Sequence, residues 1–518
     1  MTITKNISKR FFGSLLNWRA TLCRGRVKGT DATERVPPNG ELEYYRFLSC
    51  VAGCFLLLGA GCDLHDFIHW APDGQHAFVQ GNDGTWLVDG SGAILGPATD
   101  ARAWLPDSRH VIAVRDVKPK TWDEYAQLIG TDKVDRVTEA ADHMVNVIQN
   151  YHGTWSNFTD SVSYKKWERL EVGETYNGIW LFQSVTFYLR QTNPQAIAPV
   201  IDAMSADEKA KIDDLTPNIH EIIIRNVLPS EPPADQLLAR FPFSILWASA
   251  SPTGKVIAFT AETPGRPSLY VIPASAAGHA TLVDEGVTEG DWSADGQDLV
   301  YAKTTIPYEL LSKGVQLGTI TSRQVCGSFG QMLAEFPPAK DLAGVLLSEH
   351  STRVACLPDG RTLFAAAPVH LPAISADMPG LLTVFALSSG PTQSVVSVVT
   401  PADIEGLPNR ADRFVLSPDK KKVAIPGNAG KVSILSLDTG KLVPLQASDV
   451  YTNTQNSEQL IPSWRTANEI TLAVPAGNPS GSTNRVEVVL ANLAGGKTAI
   501  SRSWPTNMAD LFLPAAGK

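Results

Sequence analysis

The stretch "FIHWAPDGQHAFVQ" (67–80) reads as two short strands around a tight turn. Apolar residues alternate on either side of Pro72-Asp73-Gly74. Proline presets one turn dihedral and glycine accepts the other, which is hairpin chemistry. The arrangement recurs in "ARAWLPDSRHVIAVR" (101–115), "WASASPTGKVIAFTA" (247–261), "EGDWSADGQDLVYAK" (289–303), "RVACLPDGRTLFAAA" (353–367), "RFVLSPDKKKVAIPG" (413–427) and "IPSWRTANEITLAVP" (461–475). Seven occurrences in order are an internal repeat, and a repeat decides the architecture ahead of any single segment.

A second hairpin follows most of these turns. "HAFVQGNDGTWLVDGSGAILG" (76–96) carries loops at Asn82-Asp83-Gly84 and Gly90-Ser91-Gly92, and "KVSILSLDTGKLVPL" (431–445) turns at Asp438-Thr439-Gly440. Each unit therefore supplies about four antiparallel strands in about 40 residues, the size of a propeller blade. Trp70, Trp104, Trp292 and Trp464 stand just before the turn, where a large ring is expected to pack between neighbouring blades. The pattern resembles the TolB-type and WD-like β-propeller repeat, with its apolar–Ser–Pro–Asp–Gly turn before an alternating strand. The resemblance covers about 64–118 and 240–504 and implies an all-β propeller of about seven four-stranded blades, six or eight being the alternatives. It also implies a role as an interaction module.

One gap breaks the rhythm. Between the turns at Asp107 and Thr253, "TWDEYAQLIGTDKVDRVTEAADHMVNVIQNY" (121–151) places Leu128, Val134, Val137, Ala141, Val145 and Ile148 on one helical face. "NGIWLFQSVTFYLRQTN" (177–193) is an apolar helix, and "PQAIAPVIDAMSADEKAKIDDL" (194–215) continues it, with Ser205 and Glu208 spaced as a capping box. "HEIIIRNVL" (220–228) then resumes blade two as a strand. The expected layout is a basic leader at 1–46, an apolar segment at 47–62, blade one and the start of blade two at 63–118, a helical insertion at 119–218, the rest of the propeller at 219–505 and a tail at 506–518. Loops on a rigid scaffold commonly carry function, so the insertion is the least generic part of the chain.

The leader has its own chemistry. Residues 1–61 hold nine Lys and Arg against four Asp and Glu, a balance of +5, which leaves −14 of the total −9 to the remainder. A positive stretch before an apolar run is how an export signal orients itself. The run "FLSCVAGCFLLLGAGC" (47–62) is closer to a signal-peptide core than to a full bilayer span. Gly59, Ala60, Gly61 and Cys62 resemble the lipobox of bacterial lipoproteins, which implies lipidation at Cys62 and anchoring on the periplasmic or extracytoplasmic side of a membrane. An uncleaved anchor helix and cleavage without lipid are the alternatives. Beyond Cys62 the mature chain keeps Cys326 and Cys356. They can pair as a disulfide in an oxidising compartment or stand as two separate buried thiols.

The acidic body excludes a general nucleic-acid binder, since phosphate affinity needs clustered Lys and Arg. The sequence offers no catalytic constellation: no nucleophile elbow, Walker loop, dinucleotide glycine pattern or His-Glu-x-x-His helix. "DLHDFIHW" (63–70) gathers Asp63, His65, Asp66 and His69, but on a strand His65 and His69 share a face that Asp66 does not, a poor chelate. The turn aspartates are expected to bond their own backbone rather than a metal. No cofactor or metal is expected. The reading is an exported, membrane-anchored propeller that binds an envelope protein. The alternatives are a funnel-binding enzyme or small-ligand sensor, and a structural subunit of a membrane complex that keeps its N-terminal anchor.

Overall fold

The computed structural model describes residues 68–81, 84–150, 177–203, 216–228, 235–264, 266–275, 279–304, 316–347, 353–366, 369–371, 376–378, 381–386, 394–399, 414–426, 432–445, 462–476 and 485–500. All belong to one compact unit, Ala60–Lys518. The repeat folds as its turns require. In blade one, β1 (Ile68–Trp70) and β2 (His76–Gly81) form an antiparallel pair across the Pro-Asp-Gly turn, with Trp70 opposite Ala77. β3 (Gly84–Asp89) and β4 (Ile94–Pro97) complete a four-stranded meander. Blade two is built from β5 (Ala101–Trp104), β6 (His110–Val117), β7 (Ile219–Asn226) and β8 (Asp235–Phe241).

Among the described residues there are seven four-stranded antiparallel sheets of this kind, plus a small hairpin, Val369–Leu371 with Ala376–Met378, between the second and third strands of blade five. The first strands of successive sheets touch one another around most of the circuit, and the first strand of blade seven touches β1. Blades five and six join through a shared cluster around Leu357, Leu363, Phe414 and Val423. A ring of radially packed sheets whose first strands lie innermost is a β-propeller. Among the described residues no strand is exchanged at closure: the four strands of blade one are the first in the chain order and those of blade seven the last. Side chains hold the seam instead. The Trp70 indole donates to Thr471 Oγ1 at 3.3 Å and Ser463 Oγ to the Ile68 carbonyl at 2.6 Å. The Arg465 guanidinium lies 5.1 Å from the Trp70 ring centroid and donates to the Gly74 carbonyl.

The four tryptophans lie between blades. Trp70 is in the blade one–seven cluster, Trp104 packs against the cluster shared by blades one and two, Trp292 sits between three and four, and Trp464 between six and seven. Three of them donate into the preceding blade: Trp70 as above, Trp104 Nε1 to the His69 carbonyl at 2.8 Å, and Trp464 Nε1 to the Val415 carbonyl at 2.9 Å. The Trp292 ring is buried by packing alone. Cys356 takes the tryptophan's place in the repeat of blade five. The disulfide considered for Cys326 and Cys356 is absent. Both thiols are free and buried, Cys326 in the cluster between blades three and four and Cys356 in that between four and five, on opposite faces of blade four.

The connection between β6 and β7 leaves the ring as helices α1 (Trp122–Ile129), α2 (Thr131–Gln149), α3 (Asn177–Thr192) and α4 (Pro194–Ala203). The helical period read from 121 to 151 is split in two at Gly130, whose φ of 84° takes the chain out of helical conformation. Thr121 caps α1, accepting from the Glu124 amide at 3.2 Å. The predicted face is the packed one: Val137, Ala141 and Ile148 are buried with Tyr125, Leu181 and Val185, and Leu128, Val134 and Val145 flank them. The insert therefore has a core of its own, closed at its base by Ile219 of β7. The Ser205–Glu208 capping box lies outside the described residues.

Candidate functional site

The ring has two unlike ends. The first carries the turns between first and second strands. There Asp73, Asp107, Asp295, Asp359 and Asp419 each accept from the backbone amide two residues on, at 2.9 to 3.2 Å. The carboxylates bond their own turns, as short acidic side chains do. The Ser293 hydroxyl, 2.6 Å from Asp295 Oδ1, is the main reason that carboxyl is held below its usual range. Neighbouring turns meet at this end: the Asp73 amide donates to Ser108 Oγ at 3.0 Å, and Lys255 Nζ donates to the Phe329 carbonyl at 2.7 Å.

The opposite end carries the insert, because β6 runs away from the turn and β7 runs back. A charge ladder ties the helices to the sheet. Glu221 on β7 faces Arg115 on β6 and Arg240 on β8 across the pleat. Its side chain is 5% exposed, yet it accepts from Arg115 Nε at 3.0 Å and Nη2 at 2.6 Å, and from Arg240 Nε at 3.0 Å. Arg240 Nη1 continues to Glu124 Oε1 on α1 at 2.9 Å. At the other side Arg115 and Arg225 share Asp235, and the Arg225 hydrogen bonds hold the Asp235 carboxyl low. A carboxylate this buried is retained only with fork-like donors around it.

Next to the ladder, His220 Nδ1 lies 2.6 Å from Asp116 Oδ1. Burial pushes Asp116 up, and its bond and charge contact with His220 outweigh that, so it sits below its ordinary value. Trp180 of α3 donates to the Tyr125 hydroxyl at 2.9 Å and packs 5.9 Å from the Phe243 ring, joining the insert's core to that of blades two and three. Burial pushes Tyr125 up to about 12, so it stays a neutral phenol. At the insert's foot Lys118, Lys120, Arg190, Gln191 and Thr216 surround a cleft of about 330 Å³ over the buried Phe187. Lys118 Nζ donates to the Thr216 carbonyl at 2.6 Å. The connection after the second strand of blade three ends the same way up. There burial raises Glu262 to about 7, and among the described residues its carboxylate has no partner.

The outward face of α2 presents Asp132, Asp135, Glu139 and Asp142, all exposed and in one helical row, with Arg136 beside them. Among the described residues no group of three or more His, Cys, Asp or Glu could hold a metal, and no helix is long and apolar enough to cross a membrane. Cys62, Asp63, His65 and Asp66 lie outside the described residues; His69 stacks on Phe78 with centroids 4.6 Å apart. The ladder, the cleft and Glu262 were not foreseen from sequence. Their signals were the charged Glu221 and Arg225 flanking three isoleucines in β7 and the Lys118-Pro119-Lys120 triplet at the doorway of the insert.

No protein-family model and no curated protein matches the sequence. Solved structures do resemble it. A protein assigned as TolB in Agrobacterium tumefaciens shares 10% identity over 54% of this chain and 76% of its own, with a TM-score of 0.25. The β-propeller domain of Cps50 (Swd1) from Myceliophteria thermophila shares 12% over 55% and 78%, at 0.31. The β-propeller domain of the Trilobed protease from Pyrococcus furiosus shares 11% over 54% and 74%, at 0.33. The fold itself rests on the strand pairing. It is a β-propeller, and such a ring is compatible with a protein-binding module.

Proposed function

We propose that this chain is an exported propeller of the bacterial cell envelope, anchored to the membrane through a lipid on Cys62, which acts by binding another envelope protein through its helical insert. The observation that carries the reading is the mounting of the insert. A flexible appendage would need no charged ladder, whereas α1 is joined to the sheet through Glu124, Arg240 and the buried Glu221, and α3 through Trp180. Rigid presentation spares the ordering cost that weakens binding by mobile segments. The acidic row on α2 gives the surface its chemistry and implies a partner with a basic patch. The leader and the lipobox-like Gly59-Ala60-Gly61-Cys62 support the location.

Photo-crosslinking in the native membrane tests this. A crosslinkable residue at Asp135 or Asp142 is expected to yield a discrete protein adduct, and one at Arg361 on the turn end is not. Adducts from Arg361 alone would overturn the assignment of the surface. Intact mass is expected to show a chain beginning at acylated Cys62; a chain retaining 1–61 would remove the lipid.

A further inference from the structure

The polarity of β1 fixes the end of the ring at which the N-terminal segment arrives. β1 enters at Ile68, opposite Val79, and runs toward the turn at 71–75. The turns of blades one and two share an end, since the Asp73 amide donates to Ser108 Oγ. Ile68 therefore lies at the other end, where β6 hands the chain to the insert on the adjacent blade. Between Cys62 and Ile68 there are six residue steps, which span at most about 20 Å even when fully extended. That is less than the length of α2, whose 19 residues make a rod of about 28 Å. A ring held at Cys62 cannot turn its insert-bearing end far from the anchor.

We propose that the insert-bearing end faces the bilayer and that the cleft of Lys118, Lys120 and Arg190 holds the phosphate of an anionic phospholipid headgroup. The inference rests on membrane anchoring at 47–62, as in the function proposed above, and holds whether the anchor is a lipid or an uncleaved apolar segment. Three basic side chains converge there in a chain of net charge −9, and basic residues close to a membrane are drawn to its negative surface. No acid is among the described lining residues. The acidic row Asp132, Asp135, Glu139 and Asp142 is repelled by the same surface. Contact is thus confined to the foot of the insert, and α2 is left for a protein.

The test uses the full chain reconstituted into vesicles of phosphatidylcholine, with or without phosphatidylglycerol, that contain a headgroup-quencher lipid. A fluorescent residue is placed at exposed Asn193, beside the cleft, or at exposed Gln75, on the turn end. The chain is expected to float with both kinds of vesicle, with Asn193 quenched and Gln75 not, and with deeper Asn193 quenching when phosphatidylglycerol is present. K118Q/K120Q/R190Q should still float and should lose at least about tenfold in the phosphatidylglycerol dependence. K120Q alone, a change at an exposed position, should lose part of it should the triple variant unfold. Quenching of Gln75 in floating protein would overturn the orientation while leaving the anchor standing. An unchanged lipid dependence in both variants would overturn the headgroup site, as would its abolition by millimolar inorganic phosphate, which would make it a free-phosphate site. Failure to float with either vesicle would remove the anchor, and this inference with it.

Discussion

The two ends of the ring solve the same problem in opposite ways. Every strand that ends must satisfy its last backbone groups. At the turn end most solutions are local: in five blades an aspartate bonds the amide two residues on, within a stretch of five residues. Only a few bonds, such as Asp73 to Ser108 and Lys255 to Phe329, reach the next turn. At the insert end the solutions are remote. Glu221 is satisfied by residues 106 and 19 positions away, and Arg240 reaches 116 positions to Glu124. Local bonding produces a repeating, replaceable edge. Remote bonding produces a particular surface that fails as a unit when one member is removed.

That contrast can be broken by mutation, beginning with the largest effect. Glu221→Gln leaves two guanidinium groups facing a neutral amide in a buried position. It is expected to cost about 3 kcal/mol in urea unfolding and to speed hydrogen exchange throughout α1. A loss no greater than that of a surface ion pair would mean that the insert is not held by the ladder. Glu262 sharpens the comparison through pH. Burial raises its folded pKa to about 7, above the ordinary value of 4.5, so the native state holds the proton more tightly and stability falls as pH rises between these values, then levels off. The loss is on the order of 2 kcal/mol once partial exposure is allowed for, and Glu262→Gln should flatten it. A titration showing the same slope in both proteins would assign the effect elsewhere. The smallest change is Asp295→Ala on the turn end, expected to cost about 1 kcal/mol through its three exposed local bonds, with hydrogen exchange altered only in its own blade. A cost as large as that of Glu221→Gln would erase the distinction between the ends.

How far the sequence could be read follows the same division. The turns were legible because their chemistry is contained in adjacent residues, and seven copies made the ring. The tryptophans preceding four turns sit between blades for a related reason: a fixed place in a repeat has a fixed place in the ring. The helical face from Leu128 to Ile148 was legible from its period, although the break at Gly130 was not, because one glycine inside an amphipathic run is tolerated as often as it terminates. Arg115, Glu221 and Arg240 were not legible. Nothing in "VRDV", "HEIIIRN" or "LLARF" states that these three segments are adjacent strands with those residues in register. The free state of Cys326 and Cys356 depends on which face of blade four each occupies, which spacing alone does not encode.

The closure of the ring has a mechanical meaning. Among the described residues blade seven contributes no strand to blade one, and the joint between them contains no backbone ladder. A pull on the chain just ahead of Ile68 is therefore borne by the β1–β2 ladder within blade one and, at the joint, by side chains: Ser463 on the Ile68 carbonyl and Trp70 against Thr471 and Arg465. The ring is thus held shut by packing and a few polar side chains, whereas each blade is held together by backbone pairing.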